Sequence, residues 1–146
     1  MLREGHILSA ALIAMTMLSI GCGNNRTKQQ LSDELPYQGL EAEIRTDSIT
    51  EVLVEFDNVS YSTLATKTIR LSNTTDRPIT LLEHKSTCRC TWVELPTEAI
   101  DAGNYADIEL IFDSRGEFGS VGNYVDITTS DPRCRIGIWM SAQVTR

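Results

Sequence analysis

Cys88, Arg89 and Cys90 form the one constellation in this chain whose residue types and spacing could do chemistry. In an extended segment, residues two apart point the same way, with Cα atoms roughly 6.6 Å apart, at the upper edge of the range a disulfide spans. The pair can therefore bridge, stay as two thiols, or hold a soft ion such as Cu(I) or Zn²⁺ as thiolates. No other cofactor is expected. His84 shares the parity of the pair, but four residues of strand put it roughly 13 Å from Cys88. It could join a metal site only through a bulge, and reads first as a half-exposed strand histidine. Arg89 points to a partly solvent-facing segment and would favour a neighbouring thiolate. Trp92, just after the pair, and Trp139 near the C-terminus are candidates for a binding surface. Their plainer roles are a cap on the core for Trp92 and contact with the tether or a neighbouring side chain for Trp139.

Other chemistries lack their residues. There is no Gly-x-Ser-x-Gly, no phosphate loop and no His near a Ser nucleophile motif. The carboxylates are scattered over outward strand positions, which is a solvated face rather than an acid–base pair. The 146 residues carry 13 Lys and Arg against 20 Asp and Glu, a net charge of −7. Nucleic acid is excluded as a partner, because a phosphate backbone needs a basic stripe to displace its counterions. Hydrophobic residues at 41% and charged ones at 23% exclude wholesale disorder. The expected function is that of a non-catalytic binding or structural module rather than an enzyme. Thiol-redox or soft-metal handling by Cys88 and Cys90 is the alternative.

These residues sit behind two segments that are not part of a fold. Ile7 to Ile20 is almost unbroken apolar. About 14 such residues at 1.5 Å each reach roughly 21 Å, short of a ~30 Å hydrocarbon core, so a signal peptide fits better than a permanent span. Leu18-Ser19-Ile20-Gly21-Cys22 resembles a bacterial lipobox, which makes Cys22 the expected acylated first residue of the mature protein. Residues 1–21 are then the lipoprotein signal peptide, and 22–50 the acylated cysteine with a polar tether. Within the tether, Leu40 to Ile44 suggests one helical turn, and Asp47-Ser48-Ile49 resembles the O-glycosylation sequon of Bacteroidota, with Ser48 as acceptor. Loss of Arg3 and Glu4 leaves the charge at −7, so electrostatics will not hold the domain on an anionic bilayer and the lipid on Cys22 must. The expected location is the cell envelope, lipid-anchored and facing the periplasm, with the cell surface as the alternative. The partner is an envelope protein or polymer.

Residues 51–146 are the expected domain. A first strand alternates Val52, Val54 and Phe56 against Leu53 and Glu55, and ends at Asp57-Asn58. Thr66 to Asn73 puts Ile69 and Leu71 on one face, and Asn73 to Pro78 is a turn. Ile79 to His84 resumes as strand. Ala106 to Phe112 points Ile108, Leu110 and Phe112 inward, with Asp107, Glu109 and Ile111 outward. Asp113 to Gly122, with Gly116, Gly119 and Gly122, reads as a loop or loose hairpin. Tyr124 to Thr129 and a last strand through Ile136, Ile138, Met140, Ala142 and Val144 complete the set. An edge strand within Thr91 to Gly103 raises six strands to about seven. No amphipathic helix and no internal repeat appear. The fold class is all-β, an immunoglobulin-like antiparallel β-sandwich without the Cys-Trp-Cys core of antibody domains.

Several short runs appear in a telling order: Phe56-Asp-Asn-Val59, Arg70-Leu-Ser-Asn73 through Pro78-Ile79, Ser86-Thr-Cys88-Arg-Cys90-Thr91, Ile100-Asp-Ala-Gly103 and Thr129-Ser-Asp131-Pro132. From about Val52 to Val144 the chain thereby resembles the bacterial domain-of-unknown-function family 1573 of Bacteroidota lipoproteins and secreted proteins. Arg89 stands where that family has Gly, Ala102 where it has Pro, and Ser130 where it has Asn. The resemblance implies an Ig-like sandwich and no established activity.

Topology also limits the last cysteine, Cys134. In an Ig-type sheet, the last strand begins near the start of the strand that leads to Cys88, so Cys134 lies roughly 30 Å from the pair. It should be unpaired within the monomer. The anchoring expectation has its own test: Cys22→Ala should release the protein into a soluble fraction or leave it unprocessed. Normal processing with wild-type membrane fractionation would refute the lipobox reading.

Overall fold

The computed structural model describes residues 39–146. The expected signal peptide, Cys22 and most of the expected tether lie outside the described residues. Eight strands follow one another: β1 (Leu40–Ile44), β2 (Ser48–Ser60), β3 (Leu64–Asn73), β4 (Leu81–Ser86), β5 (Thr91–Glu94), β6 (Tyr105–Asp113), β7 (Gly119–Thr129) and β8 (Cys134–Thr145). They form two four-stranded sheets, ordered β1-β3-β6-β5 and β2-β8-β7-β4. The all-β, Ig-like sandwich is thus present.

Period-two burial builds it. Val52, Val54 and Phe56 on β2, Ile69 and Leu71 on β3, Ile108, Leu110 and Phe112 on β6, and Val125 and Ile127 on β7 are all buried, as are Ile136, Ile138, Met140, Ala142 and Val144 on β8. All belong to one apolar cluster, so each sheet contributes one face to a shared layer.

The details correct several expectations. The sandwich is not wholly antiparallel: β1 runs parallel to β3, and β2 parallel to β8. Leu40–Ile44 is a strand and not a helical turn, because Leu40, Ala42 and Ile44 alternate into the core and Ile44 is fully buried. The domain therefore begins before Glu51, and Ser48 opens β2, half-buried, instead of sitting in a tether. The first strand does not stop at Asp57-Asn58. Its inward positions run 52, 54, 56 and then 59, an odd step, and a bulge between Glu55 and Asn58 absorbs the extra residue. Asp57 takes the left-handed conformation there, with φ 58° at Asp47 and 54° at Asp57, a region short polar side chains tolerate. Ile79 makes only an isolated bridge to Ile100, and β4 starts at Leu81. The loop or loose hairpin expected from Asp113 to Gly122 already becomes β7 at Gly119. Ile111 points outward yet is buried, since Thr66 and Trp92 lie opposite it on the two flanking strands.

Buried polar groups fasten the connections. Asn73, 1% exposed, donates from Nδ2 to the carbonyls of Arg77 and Ile100, and its Oδ1 accepts from Thr75 N–H and Oγ1–H. That satisfies its full capacity and shapes the β3–β4 turn. Leu110 is fully buried, so Leu110→Ala should cost about 2–5 kcal/mol. Exposed Glu109 next to it should cost under ~0.5 kcal/mol as alanine. Denaturant titration of the two variants checks the register of β6, and equal losses would contradict it.

Candidate functional site

The β4–β5 connection carries the chain from one sheet to the other, and it is a turn rather than an extended segment. Thr91 N–H donates to the Cys88 carbonyl across it. This closes the Cα–Cα separation of Cys88 and Cys90 to 5.2 Å, below the extended spacing, and the two sulfurs form a disulfide. Two further bonds pin the turn. Thr87 N–H donates to the Tyr124 carbonyl at 2.9 Å and Asp113 N–H to the Cys90 carbonyl at 2.7 Å. One reaches β7 and the other β6, so both sheets hold the bridge in place.

Polar groups converge on the sulfurs. Cys90 N–H lies 3.0 Å from Cys88 Sγ. Asn123 Nδ2 donates to Cys90 Sγ at 3.3 Å and to Thr91 Oγ1 at 3.0 Å. Glu117, from the β6–β7 loop, places Oε1 3.9 Å from Cys88 Sγ. Among the described residues, Cys88, Cys90 and Glu117 are the His, Cys and acidic side chains close enough together to share an ion. While bridged, the sulfurs are not thiolate ligands, and the set becomes a donor set only on reduction. His84 is not part of it. It sits half-buried on β4 opposite Ile127, an ordinary strand position.

Asn123 and Glu117 were not singled out by their residue types. Asn123 is buried on the inward parity of β7, in step with Val125 and Ile127. A polar residue continuing an apolar alternation was the available signal. Glu117 reaches Cys88 only through the tertiary fold, and nothing local marks it.

The two candidate tryptophans lie on opposite sheets and do not form one surface. Trp92 is half-buried on β5 across from Ile111. Trp139 is 50% exposed on the outer face of the β2-β8-β7-β4 sheet, with its ring centroid 4.5 Å from that of Tyr124. Leu53, Trp139 and Tyr124 occupy one register row across β2, β8 and β7, and Leu53 is 63% exposed. Gly137 makes this arrangement possible. A Cβ there would collide with the Tyr124 hydroxyl and ring, so the absence of a side chain lets the tyrosine lie across β8 beside the tryptophan.

Cys134 is a free thiol, fully buried at the start of β8 beside Ser48. It stands at the Leu81 end of β4, whereas the bridge follows the Ser86 end. Burial pushes its thiol above the ordinary range, and the Asp131 carboxylate adds to this.

Sandwich, bridge and connections together define an immunoglobulin-like domain with a disulfide at a sheet-to-sheet crossover. Residues 48–144 match the family described as protein of unknown function (DUF1573), and the chain belongs to that family. No curated protein matches it. It is similar to a protein of unknown function from Porphyromonas gingivalis W83, at a TM-score of 0.54 and 12% identity over 72% of this chain and 48% of that one. The chain thus spans about half the length of that protein. It is also similar to the ASH / PapD-like domain of human CEP192, at a TM-score of 0.54 and 11% identity over 74% of this chain and 87% of that one. At these identities the likeness is one of fold alone.

The two thiol environments should separate by reactivity. Under native conditions Cys134 should resist alkylation after the bridge has been reduced and both bridge thiols have reacted, and in denaturant it should react fully. Mass spectrometry of the alkylated protein reads this directly, and native labelling of Cys134 as fast as Cys90 would contradict its burial.

Proposed function

We propose that this protein is a lipid-anchored, non-catalytic Ig-like module of the cell envelope, held through acylated Cys22 and facing the periplasm, that binds an envelope protein or polymer. The supporting observation is the tilted Trp139–Tyr124 ring pair with Leu53 beside it on the outer face of the β2-β8-β7-β4 sheet. Aromatic side chains half open to solvent, kept in place by packing on each other and over Gly137, resemble the anchors of binding surfaces: large contact area with little side-chain freedom to lose. Glu51 and Glu55, two residues along β2 on either side of Leu53, are exposed and give the apolar row a polar rim.

Trp139 should then behave as a hot spot. Trp139→Ala is expected to weaken partner binding about tenfold or more, as loss of a central anchor does, while leaving thermal unfolding close to wild type. Photo-crosslinking from position 139 in the anchored protein should give a discrete adduct. The same probe at position 109, on the outer face of the other sheet, should not. Equal yields from both positions would count against this face.

A second reading is favoured by one specific observation. The Cys88–Cys90 bridge lies at a surface crossover with a buried amide on one sulfur and a carboxylate near the other. In this reading the pair cycles between disulfide and dithiol, and the dithiol with Glu117 offers a site for Cu(I) or Zn²⁺. Anaerobic reduction followed by metal titration separates the two readings. A one-to-one metal complex lost in Cys88→Ser supports thiol or metal handling. No uptake removes the metal half of this reading and leaves only the thiol cycle to be tested.

A further inference from the structure

Cys88 and Cys90 are bonded to each other, yet their surroundings differ. Cys90 packs against the apolar core, and its Sγ accepts a hydrogen bond from buried Asn123 at 3.3 Å. Cys88 lies outside that packing and has the Glu117 carboxylate 3.9 Å from its Sγ. Each sulfur also has one neutral N–H donor, since the backbone of Cys90 serves Cys88 and the amide of Asn123 serves Cys90. These dipoles roughly offset each other. Two effects then oppose each other: packing against the core disfavours a charge on the partly buried Cys90, and the full negative charge beside Cys88 disfavours a second one there, the latter prevailing because it acts at 3.9 Å.

We propose that this disulfide is opened by an external thiolate, from a small thiol or from the dithiol of a partner protein, with a fixed polarity: attack at Cys88 and departure of Cys90 as a thiolate held by Asn123. The inference rests on the second reading above and assigns its direction. The attacking sulfur forms a bond to Cys88 Sγ, the Cys88–Cys90 bond breaks, and its electron pair stays on Cys90 Sγ. A second thiolate then attacks the donor's sulfur in the mixed disulfide. The donor leaves as its own disulfide, and Cys88 departs with the electron pair and takes a proton from water. Two electrons enter the pair, and two donor thiols are oxidised to one disulfide. Cys90 is packed against the core and Cys88 lies outside that packing, so an incoming thiol meets less of the core at Cys88. Asn123 then has a use beyond its bond to Thr91. A donor that a neutral sulfur binds weakly strengthens when that sulfur becomes charged.

The polarity can be read from a trapped intermediate. The oxidised full-length protein is mixed with reduced glutathione, quenched with N-ethylmaleimide and digested with trypsin. Cleavage after Arg89 leaves the two sulfurs on separate peptides. Glutathione on Cys88 with maleimide on Cys90 is expected in about tenfold excess over the reverse, the scale set by one charge-assisted hydrogen bond. Adducts mainly on Cys90, or equal on both, would overturn the proposal. Asn123→Ala should shift the equilibrium with glutathione about fivefold or more toward the bridged form, and Glu117→Gln should bring the adduct ratio toward parity. If the mixed disulfide is too short-lived to trap, an Asn123→Ala equilibrium within about twofold of wild type overturns it. Should that variant not fold, the single-cysteine variants answer the same question through the pH profile of alkylation: Cys90 in Cys88→Ser should lose its proton at lower pH than Cys88 in Cys90→Ser, and an equal or reversed order overturns the proposal. A bridge that neither glutathione nor an excess of a small dithiol opens in the native protein would remove the second reading altogether. An adduct on the wrong sulfur removes only the polarity.

Discussion

Phe56 on one sheet and Phe112 on the other meet with ring centroids 6.0 Å apart, inside a layer of Ile, Leu and Val side chains from all the long strands. Neither four-stranded sheet can bury its apolar face without the other, so the layer is a joint property of the two sheets and everything attached to either depends on it. Closing it is also a matter of crossovers. The chain passes between sheets at β1–β2, β2–β3, β3–β4, β4–β5 and β6–β7, and each passage must turn sharply without stranding buried backbone groups. The devices found there follow from that demand. Asn73 is fully satisfied at β3–β4, Ser114 ties the Thr63 backbone to the end of β6, and the cysteine turn joins β4 to β5.

That constraint explains the place of the bridge. At the β4–β5 crossover the core reaches its rim, and Thr91 and Asn123 stand where apolar residues would otherwise continue the layer. A polar pair there is tolerable because each completes the other at 3.0 Å and the amide's remaining proton meets a sulfur. The outer face follows different rules. On the β2-β8-β7-β4 sheet, a glycine on β8 gives the ring of Tyr124 its bed, and the ring in turn supports Trp139. Removing the side chain at one position thus orders two aromatics at the next.

Alternation carried most of the fold because the inner face of each strand is apolar almost without interruption, and period two is the same signal in every strand. It failed where geometry departs from period two. The bulge at Asp57-Asn58 looked like a strand end, since a turn-forming pair and a parity slip are locally indistinguishable from a stop. Leu40–Ile44 looked like tether because its five residues hold only three inward positions, and their burial comes from β3, which no local pattern reveals. Ile111 was correctly placed outward, yet its burial comes from neighbours across the sheet. At the site, the cysteines were visible as a pair, and the sheet order indicated that Cys134 would stay apart from them. Asn123 and Glu117 join them from β7 and from the loop before it, partners that only strand order and loop path decide.

The size of the ring the disulfide closes bears on why it is there. In the chain-entropy account, a bridge stabilises by restricting the unfolded chain, and the effect grows with the loop closed. A bridge between residues separated by two closes a loop of about three residues, which that relation values at roughly 1.6 kcal/mol, against about 4.7 kcal/mol for a loop of about 100. A structural staple would gain far more by linking distant strands, and Cys134, buried in the same core, is left free. The turn that the bridge spans is already fixed by backbone bonds to Tyr124 and Asp113, so little disorder remains for it to remove. The bridge therefore adds little rigidity beyond what the two sheets already impose on the turn.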